Sequence, residues 1–98
     1  MVYETTLDEG NYRAQWAEQH IEKGHPEEAR RQVELAQAAY ANHVTLSSPY
    51  FILGSLYMKL NEPAKARALF ERFLELEPEG PKAETARHIL SRLREPPS

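Results

Sequence analysis

The chain has 98 residues, of which 41% are hydrophobic and 28% charged, a composition ordinary for one small soluble globular domain. Its formal net charge of −3 gives no general attraction to nucleic-acid phosphates or anionic membranes, so we expect neither as a partner. The absence of cysteine excludes disulfides and thiolate metal sites.

The first residues, MVYETTLDEG, lack the basic and apolar regions of a signal peptide. No window approaches the roughly 18 apolar residues of a membrane-spanning helix. By default, therefore, the sequence predicts a cytoplasmic protein without membrane insertion.

The first predicted helix begins near residue 7. Thr6 with Glu9 has the spacing of a capping box, Gly10 weakens the first turn, and Gly24 accepts the left-handed conformation that ends a helix. The apolar residues of this segment recur at steps of four and five: Leu7, Tyr12, Trp16 and Ile21.

The second predicted helix begins at Pro26 and ends near Asn42, followed by a linker over 43–47. Proline suits the first helical position because the N–H it lacks has no intrahelical partner there. We expect His25 to cap this helix. Its apolar stripe consists of Ala29, Val33, Ala36 and Tyr40.

Three more helices follow, over 49–60, from Pro63 to just before Pro78, and over about 82–94. Ser48 with Pro49 starts the third helix, and Asn61 ends it. Residues 95–98 are expected to form a frayed tail. No segment alternates with period two, so we predict no sheet.

The segments KGHPEEAR (23–30) and LNEPAKAR (60–67) repeat proline, alanine and arginine at one offset, 66 − 29 = 37 residues. Helix pairs repeated at such an interval are typical of a helical solenoid. The repeat is therefore the main indication of architecture.

The second half of the chain resembles the tetratricopeptide repeat family. The resemblance is carried by Tyr50, Leu53, Gly54, Tyr57, Ala66, Phe70 and Pro78. We expect Gly54 and Ala66, which lack bulk, to let the helices approach, and Tyr57 and Phe70 to fill the space beyond. The first half matches less well, with Trp16, Ala17 and His20 standing where Leu53, Gly54 and Tyr57 stand.

The resemblance implies an all-α fold, a right-handed solenoid of two antiparallel helix pairs and a capping helix. On this interpretation residues 1–98 form a single domain. Repeat one covers about 7–43, repeat two about 48–79, the capping helix about 81–94 and the tail 95–98.

The resemblance also implies a function: a non-enzymatic scaffold that binds another protein or peptide in a concave groove. The groove would be lined by Ala14, Glu18, Ile21, Phe51, Ser55, Met58, Lys59 and Lys82. An exposed Phe51 beside Met58 would make an adaptable apolar patch. The alternative is that Phe51 packs against Ala14 or the capping helix, and that Met58 fills a gap.

One subclass of the family clamps the C-terminal carboxylates of chaperones with lysine and asparagine side chains. The corresponding positions here are Ala14, Glu18, Ile52, Lys82 and Ala86, of which only Lys82 fits. We therefore do not expect chaperone-tail binding.

No motif indicates catalysis, a cofactor or a metal. His20 and His25 are five residues apart with a helix break between them, which is not a ligand spacing, and we expect His20 to replace the family tyrosine. The carboxylates over 71–79 form a solvated stripe rather than a converging pair. There is no glycine-rich phosphate loop and no nucleophile elbow.

Charge is distributed unevenly between the two ends of the chain. Glu4, Asp8 and Glu9 make the start acidic, and Arg87, Arg92 and Arg94 make the last helix basic. Opposite charges on poorly covered solenoid ends favour head-to-tail stacking. Weak self-association into a structural assembly is therefore one alternative to groove binding. The other is a piece of a longer repeat array, which the length of the 43–47 linker and the missing third helix pair favour.

Overall fold

The computed structural model describes residues 5–94, the last of them by its backbone alone. Five helices account for most of this range, and the described residues contain no strand. The helices are α1 (Thr6–Glu22), α2 (Pro26–Tyr40), α3 (Ser48–Lys59), α4 (Pro63–Leu76) and α5 (Pro81–Arg94). The predicted all-α, five-helix class is confirmed. The tail predicted over 95–98 lies outside the described residues.

The chain divides into two compact units, Met1–Val44 and Thr45–Ser98. The first unit contains the α1–α2 pair. The second contains the α3–α4 pair and α5, which packs against α4. Each unit therefore has a helix pair of its own, as the repeat predicts.

The start of α1 differs from the prediction by one residue. The N-cap is Thr5, whose Oγ1 accepts a hydrogen bond from the backbone N–H of Asp8 at 3.1 Å. Thr6 Oγ1 lies instead 2.7 Å from Nε2 of His43, the residue that follows α2 closely in sequence. Thr6 is therefore not the cap, because its hydroxyl is engaged across the first unit.

The core of the first unit is built from small side chains on α1 and α2. Ala17, Ala29, Val33 and Ala36 are fully buried. Tyr40 is also buried, and its ring lies against Gly10. A Cβ atom on Gly10 would lie 2.8 Å from Cζ of Tyr40, and closer still to two other ring carbons. Gly10 therefore makes room for Tyr40.

The hydroxyl group of Tyr40 donates a hydrogen bond to Oδ1 of Asn11 at 2.6 Å. Burial disfavours the charged phenolate and raises the pKa of Tyr40 from its ordinary value of 10.0 to about 12. The start of α1 and the end of α2 are thus joined by one large, neutral side chain.

The first helix of each pair ends in the same way. Gly24 has a φ of 78°, and the N–H of His25 donates to the carbonyl oxygen of His20 at 2.8 Å. Asn61, which lies 61 − 24 = 37 residues later, has a φ of 61° and is followed by a bond from Glu62 N–H to Tyr57 O at 2.9 Å. These are left-handed helix C-caps, and both predicted stop residues are confirmed.

The core of the second unit is larger and aromatic. Ala66, Phe70 and Phe73 of α4 are fully buried, as are Ala83 and Ala86 of α5. A Cβ on Gly54 would lie 3.0 Å from the Phe70 ring, so this ring occupies the space that the glycine leaves open. The sequence interpretation placed Ala66 opposite Gly54 and Phe70 beyond it; the structure puts the Phe70 ring itself against the glycine.

Two arginines attach their guanidinium groups to backbone oxygens in the second unit. Arg67 Nη2 donates to the carbonyl oxygen of Leu93 at 3.1 Å, joining α4 to the end of α5. Arg87 Nη1 donates to the carbonyl oxygen of Pro78 at 2.7 Å.

Within residues 5–94, no helix has the length and apolar content needed to cross a membrane.

Candidate functional site

The candidate site in the second unit lies along α3. Phe51, Ser55 and Met58 follow one another at steps of four and three residues, so they lie on one face of the helix. Phe51 and Ser55 are half-buried, whereas Met58 is exposed. We call this set, together with Lys59 and Lys82, the α3 face.

Phe51 is anchored by the aromatic core beneath it. Its ring makes edge-to-face contacts with Phe70 and Phe73, at centroid distances of 5.5 and 5.1 Å. Such pairs contribute about 0.5–1.5 kcal/mol beyond simple burial. Phe51 therefore packs on α4, a partner that neither interpretation of Phe51 named.

Lys82 of α5 lies close to the Phe51 ring. Its Nζ lies 5.7 Å from the centroid of the Phe51 ring, within the range of a cation–π interaction. The predicted residues Phe51 and Lys82 are thus brought together although 31 residues separate them in sequence (82 − 51 = 31). The α3 face therefore combines an aromatic ring with a positive charge.

Met58 supplies the exposed apolar part of this surface. Its side chain is 37% exposed, and it is one of few large hydrophobic residues of the described chain that remain open to solvent. Lys59, next to it, is exposed and already takes part in an interaction within the protein. A flexible thioether at this position can adapt to apolar groups of different shape.

The three groove residues predicted on α1 repeat the spacing of the α3 face. Ala14, Glu18 and Ile21 stand 37 residues before Phe51, Ser55 and Met58. Ala14 is buried, Glu18 is exposed and Ile21 is half-buried. Only Glu18 and Ile21 therefore offer appreciable side-chain surface. That these two residues line one groove together with the α3 face stays a prediction.

Two clefts of the second unit are not predicted from the sequence. One, of about 240 Å³, is lined by Pro63, Ala64, Arg67 and Leu93. The other, of about 430 Å³, is lined by Leu74, Arg87, Leu90 and Ser91. Among the described lining residues of each cleft, the charged one is an arginine whose guanidinium already donates to a backbone oxygen. Neither arginine is therefore freely available to a ligand.

A row of three neighbouring aromatic rings on α1 is likewise not predicted from the sequence. Tyr12, Trp16 and His20 recur every four residues, a spacing that places side chains on one helix face. Their centroids are 6.0 Å apart for the first pair and 5.9 Å for the second. The spacing is visible in the sequence, but the sequence interpretation assigns Tyr12 and Trp16 to an apolar stripe and His20 to the position of the family tyrosine.

The described residues contain no group of three or more histidine, aspartate or glutamate side chains placed to hold a metal ion. His25 occupies the N-cap position of α2, as predicted, and its side chain makes no capping hydrogen bond. Its imidazole lies instead 6.0 Å, centroid to centroid, from that of His20.

Comparison with known families found a match within the second unit. A family model described as tetratricopeptide repeat matches residues 48–79, which include α3, α4 and the turn after them. Comparisons with curated proteins and with solved structures found no match. Proteins with this repeat typically bind other proteins, and the family is in general not enzymatic. Residues 48–79, about a third of the chain, are thus similar to a tetratricopeptide repeat, and this similarity supports a protein-interaction or scaffold module in general.

Proposed function

We propose that the protein binds an extended segment of a partner protein along the α3 face. Phe51, Ser55, Met58, Lys59 and Lys82 are the proposed contacts. The observation that supports this most is the exposure of Met58 on the helix face where Phe51 and Lys82 meet. An exposed apolar side chain on the same helix face as an anchored aromatic ring can form part of a recognition surface.

Anchoring of Phe51 lowers the cost of binding. An immobilised flexible side chain costs about 0.5–1.5 kcal/mol of conformational entropy at an interface. Contacts with Phe70 and Phe73 restrict the Phe51 ring before any partner arrives. The partner would then pack on a preformed ring and on the adaptable Met58, with the Lys82 ammonium at the edge.

Glu18 and Ile21 of the first unit are proposed as additional contacts because they stand at positions equivalent to Ser55 and Met58. They would offer one negative and one apolar group. Their role is a separate proposal, tested by the same experiment with its own variant, Ile21→Ser.

The proposal is tested by peptide selection followed by NMR. The full chain would be immobilised and used to select binders from a random peptide library. A selected peptide would then be titrated into isotope-labelled protein. We expect chemical-shift changes at Phe51, Ser55, Met58 and Lys82. Changes confined to the second helices, over 33–40 and 69–73, would reject binding on the α3 face.

A matched pair of variants separates this face from general hydrophobic attraction. Met58 and Leu35 are almost equally exposed, 37% and 38%, and both lie on helices. Met58→Glu should weaken binding of the peptide at least about tenfold, or about 1.4 kcal/mol, and Leu35→Glu should leave it unchanged. Equal effects of the two substitutions would show that the peptide binds exposed apolar groups without preference.

Assembly through the ends of the chain remains the alternative proposal. Its charges are partly engaged within each unit: Glu9 lies 3.7 Å from the Arg13 guanidinium, and Arg87 donates to Pro78. Side chains of Glu4 and Arg94, which the prediction also used, lie outside the described part of the structure. Light scattering over a range of concentrations and salt levels tests it, and a strict monomer at high concentration would eliminate it.

A further inference from the structure

Two histidines meet at the turn between α1 and α2. In the sequence, a helix break separates His20 from His25. In the structure the chain reverses at Gly24, and this reversal brings the two imidazole rings to a centroid distance of 6.0 Å. We call these two residues the histidine pair.

The backbone holds the histidine pair in place. The N–H of His25 donates to the carbonyl oxygen of His20 at 2.8 Å, and Gly24 has the left-handed φ of 78° that this closure needs. The α-carbons of the pair are therefore fixed by a hydrogen-bonded turn. Only side-chain rotations remain to be set when a ligand binds.

Among the described residues, one imidazole nitrogen of the pair is left without a protein partner. Nδ1 of His20 is buried and has no hydrogen-bond partner. His25 is exposed and makes no capping bond to α2. A buried nitrogen without a partner is uncommon, since its loss of hydration is not offset, and it can indicate a ligand. The Trp16 ring, stacked on His20 at 5.9 Å, restricts that imidazole further.

We propose that the histidine pair binds a divalent transition-metal ion, with Zn²⁺ and Cu²⁺ as the ions best suited to neutral imidazole ligands. With a metal–nitrogen distance of about 2.1 Å, a metal lies about 3.2 Å from each ring centroid, so two ligating rings can be no more than about 6.4 Å apart. The observed 6.0 Å is inside this limit.

A tetrahedral angle at the metal requires the two centroids to be about 5.2 Å apart, so the rings must approach by roughly 0.8 Å. Rotation of the exposed His25 side chain supplies this movement, while His20 stays between Trp16 and the turn. Water completes the coordination, because no third histidine or carboxylate of the described residues joins the pair. Binding should therefore be weaker than at a closed four-ligand site.

The only tryptophan of the chain makes this site measurable. Cu²⁺ is a paramagnetic quencher, and Trp16 stacks on one of the proposed ligands. Titration of the full chain with Cu²⁺ should quench the Trp16 fluorescence to saturation at one ion per chain, and a chelator should reverse it. Titration with diamagnetic Zn²⁺ should shift the imidazole CH signals of both histidines in NMR spectra.

Variants decide between this site and general surface binding. His25→Gln keeps an exposed polar side chain, so folding should be unaffected, and it should weaken Cu²⁺ binding at least about tenfold. His88→Gln, at an exposed histidine on α5, is the control and should leave the titration unchanged. Circular dichroism confirms that both variants are folded.

Two outcomes would overturn the proposal. The first is a His25→Gln titration that coincides with that of the unmodified chain. The second is a set of Zn²⁺-induced shifts that omits either histidine of the pair. Peptide binding on the α3 face is measured in a different unit with a different probe, so its success or failure does not affect this result.

Discussion

The contact between Gly10 and Tyr40 allows a quantitative prediction for the substitution Gly10→Ala. Gly10 lies in α1, where alanine is favoured over glycine by about 1 kcal/mol in an ordinary helix interior. Helix propensity alone therefore predicts a more stable protein. The structure predicts the reverse, because a Cβ at this position would collide with the buried Tyr40 ring.

The expected loss follows from three contributions. Inserting a methyl group into a packed core costs about 1–3 kcal/mol. Displacing the Tyr40 ring also stretches its hydrogen bond to Asn11, which is worth about 0.5–1.5 kcal/mol. After subtraction of the gain in helix propensity, we expect the free energy of unfolding of the first unit to fall by about 2 kcal/mol.

Urea denaturation followed by tryptophan fluorescence is the suitable assay, because Trp16 reports on the first unit. The control is the same substitution in a Tyr40→Ala background, where the ring is gone and Gly10→Ala should be neutral or stabilising. If Gly10→Ala stabilises the protein while Tyr40 is present, the close approach does not constrain the helix pair and the reasoning fails.

Two further predictions concern the backbone and pH. Gly24→Ala and Asn61→Ala both replace a residue with left-handed φ, so each should lower the free energy of unfolding by about 1 kcal/mol. Urea denaturation measures this, and a gain in stability at either position would contradict the assigned φ. Folding raises the pKa of Tyr40 to about 12. The stabilising contribution of the neutral Tyr40 side chain is therefore complete below pH 10 and is lost as the pH rises towards 12. Denaturation of the first unit at several alkaline pH values should show this loss, and Tyr40→Phe should remove part of it; equal losses in both proteins would exclude Tyr40 as the cause.

Much of the fold was predictable because its signals are local. Prolines at the first turns of α2, α3 and α4 mark their starts, and Gly24 and Asn61 mark two ends. Each signal acts through the backbone of its own residue, so no knowledge of tertiary packing is needed. The predicted helix bounds consequently differ from the observed ones by about one or two residues.

The tertiary contacts were harder to predict, because they depend on which side chains meet. The anchoring of Phe51 on Phe70 and Phe73, for example, depends on how α3 and α4 pack. The Gly10–Tyr40 contact joins residues 30 positions apart (40 − 10 = 30), and nothing in either local segment indicates it. The histidine pair was missed because sequence distance across a left-handed turn does not measure spatial distance.

The fit between Gly54 and Phe70 has a consequence for how such a duplicated sequence can change. At the equivalent positions of the first unit, 37 residues earlier, stand Ala17 and Val33, a larger residue on the first helix and a smaller one on the second. A phenylalanine grafted at 33 should require a glycine at 17 as well. Substitutions at these two positions should therefore be coupled. A chimera that joins the first helix of one pair to the second helix of the other should combine residues that do not fit each other.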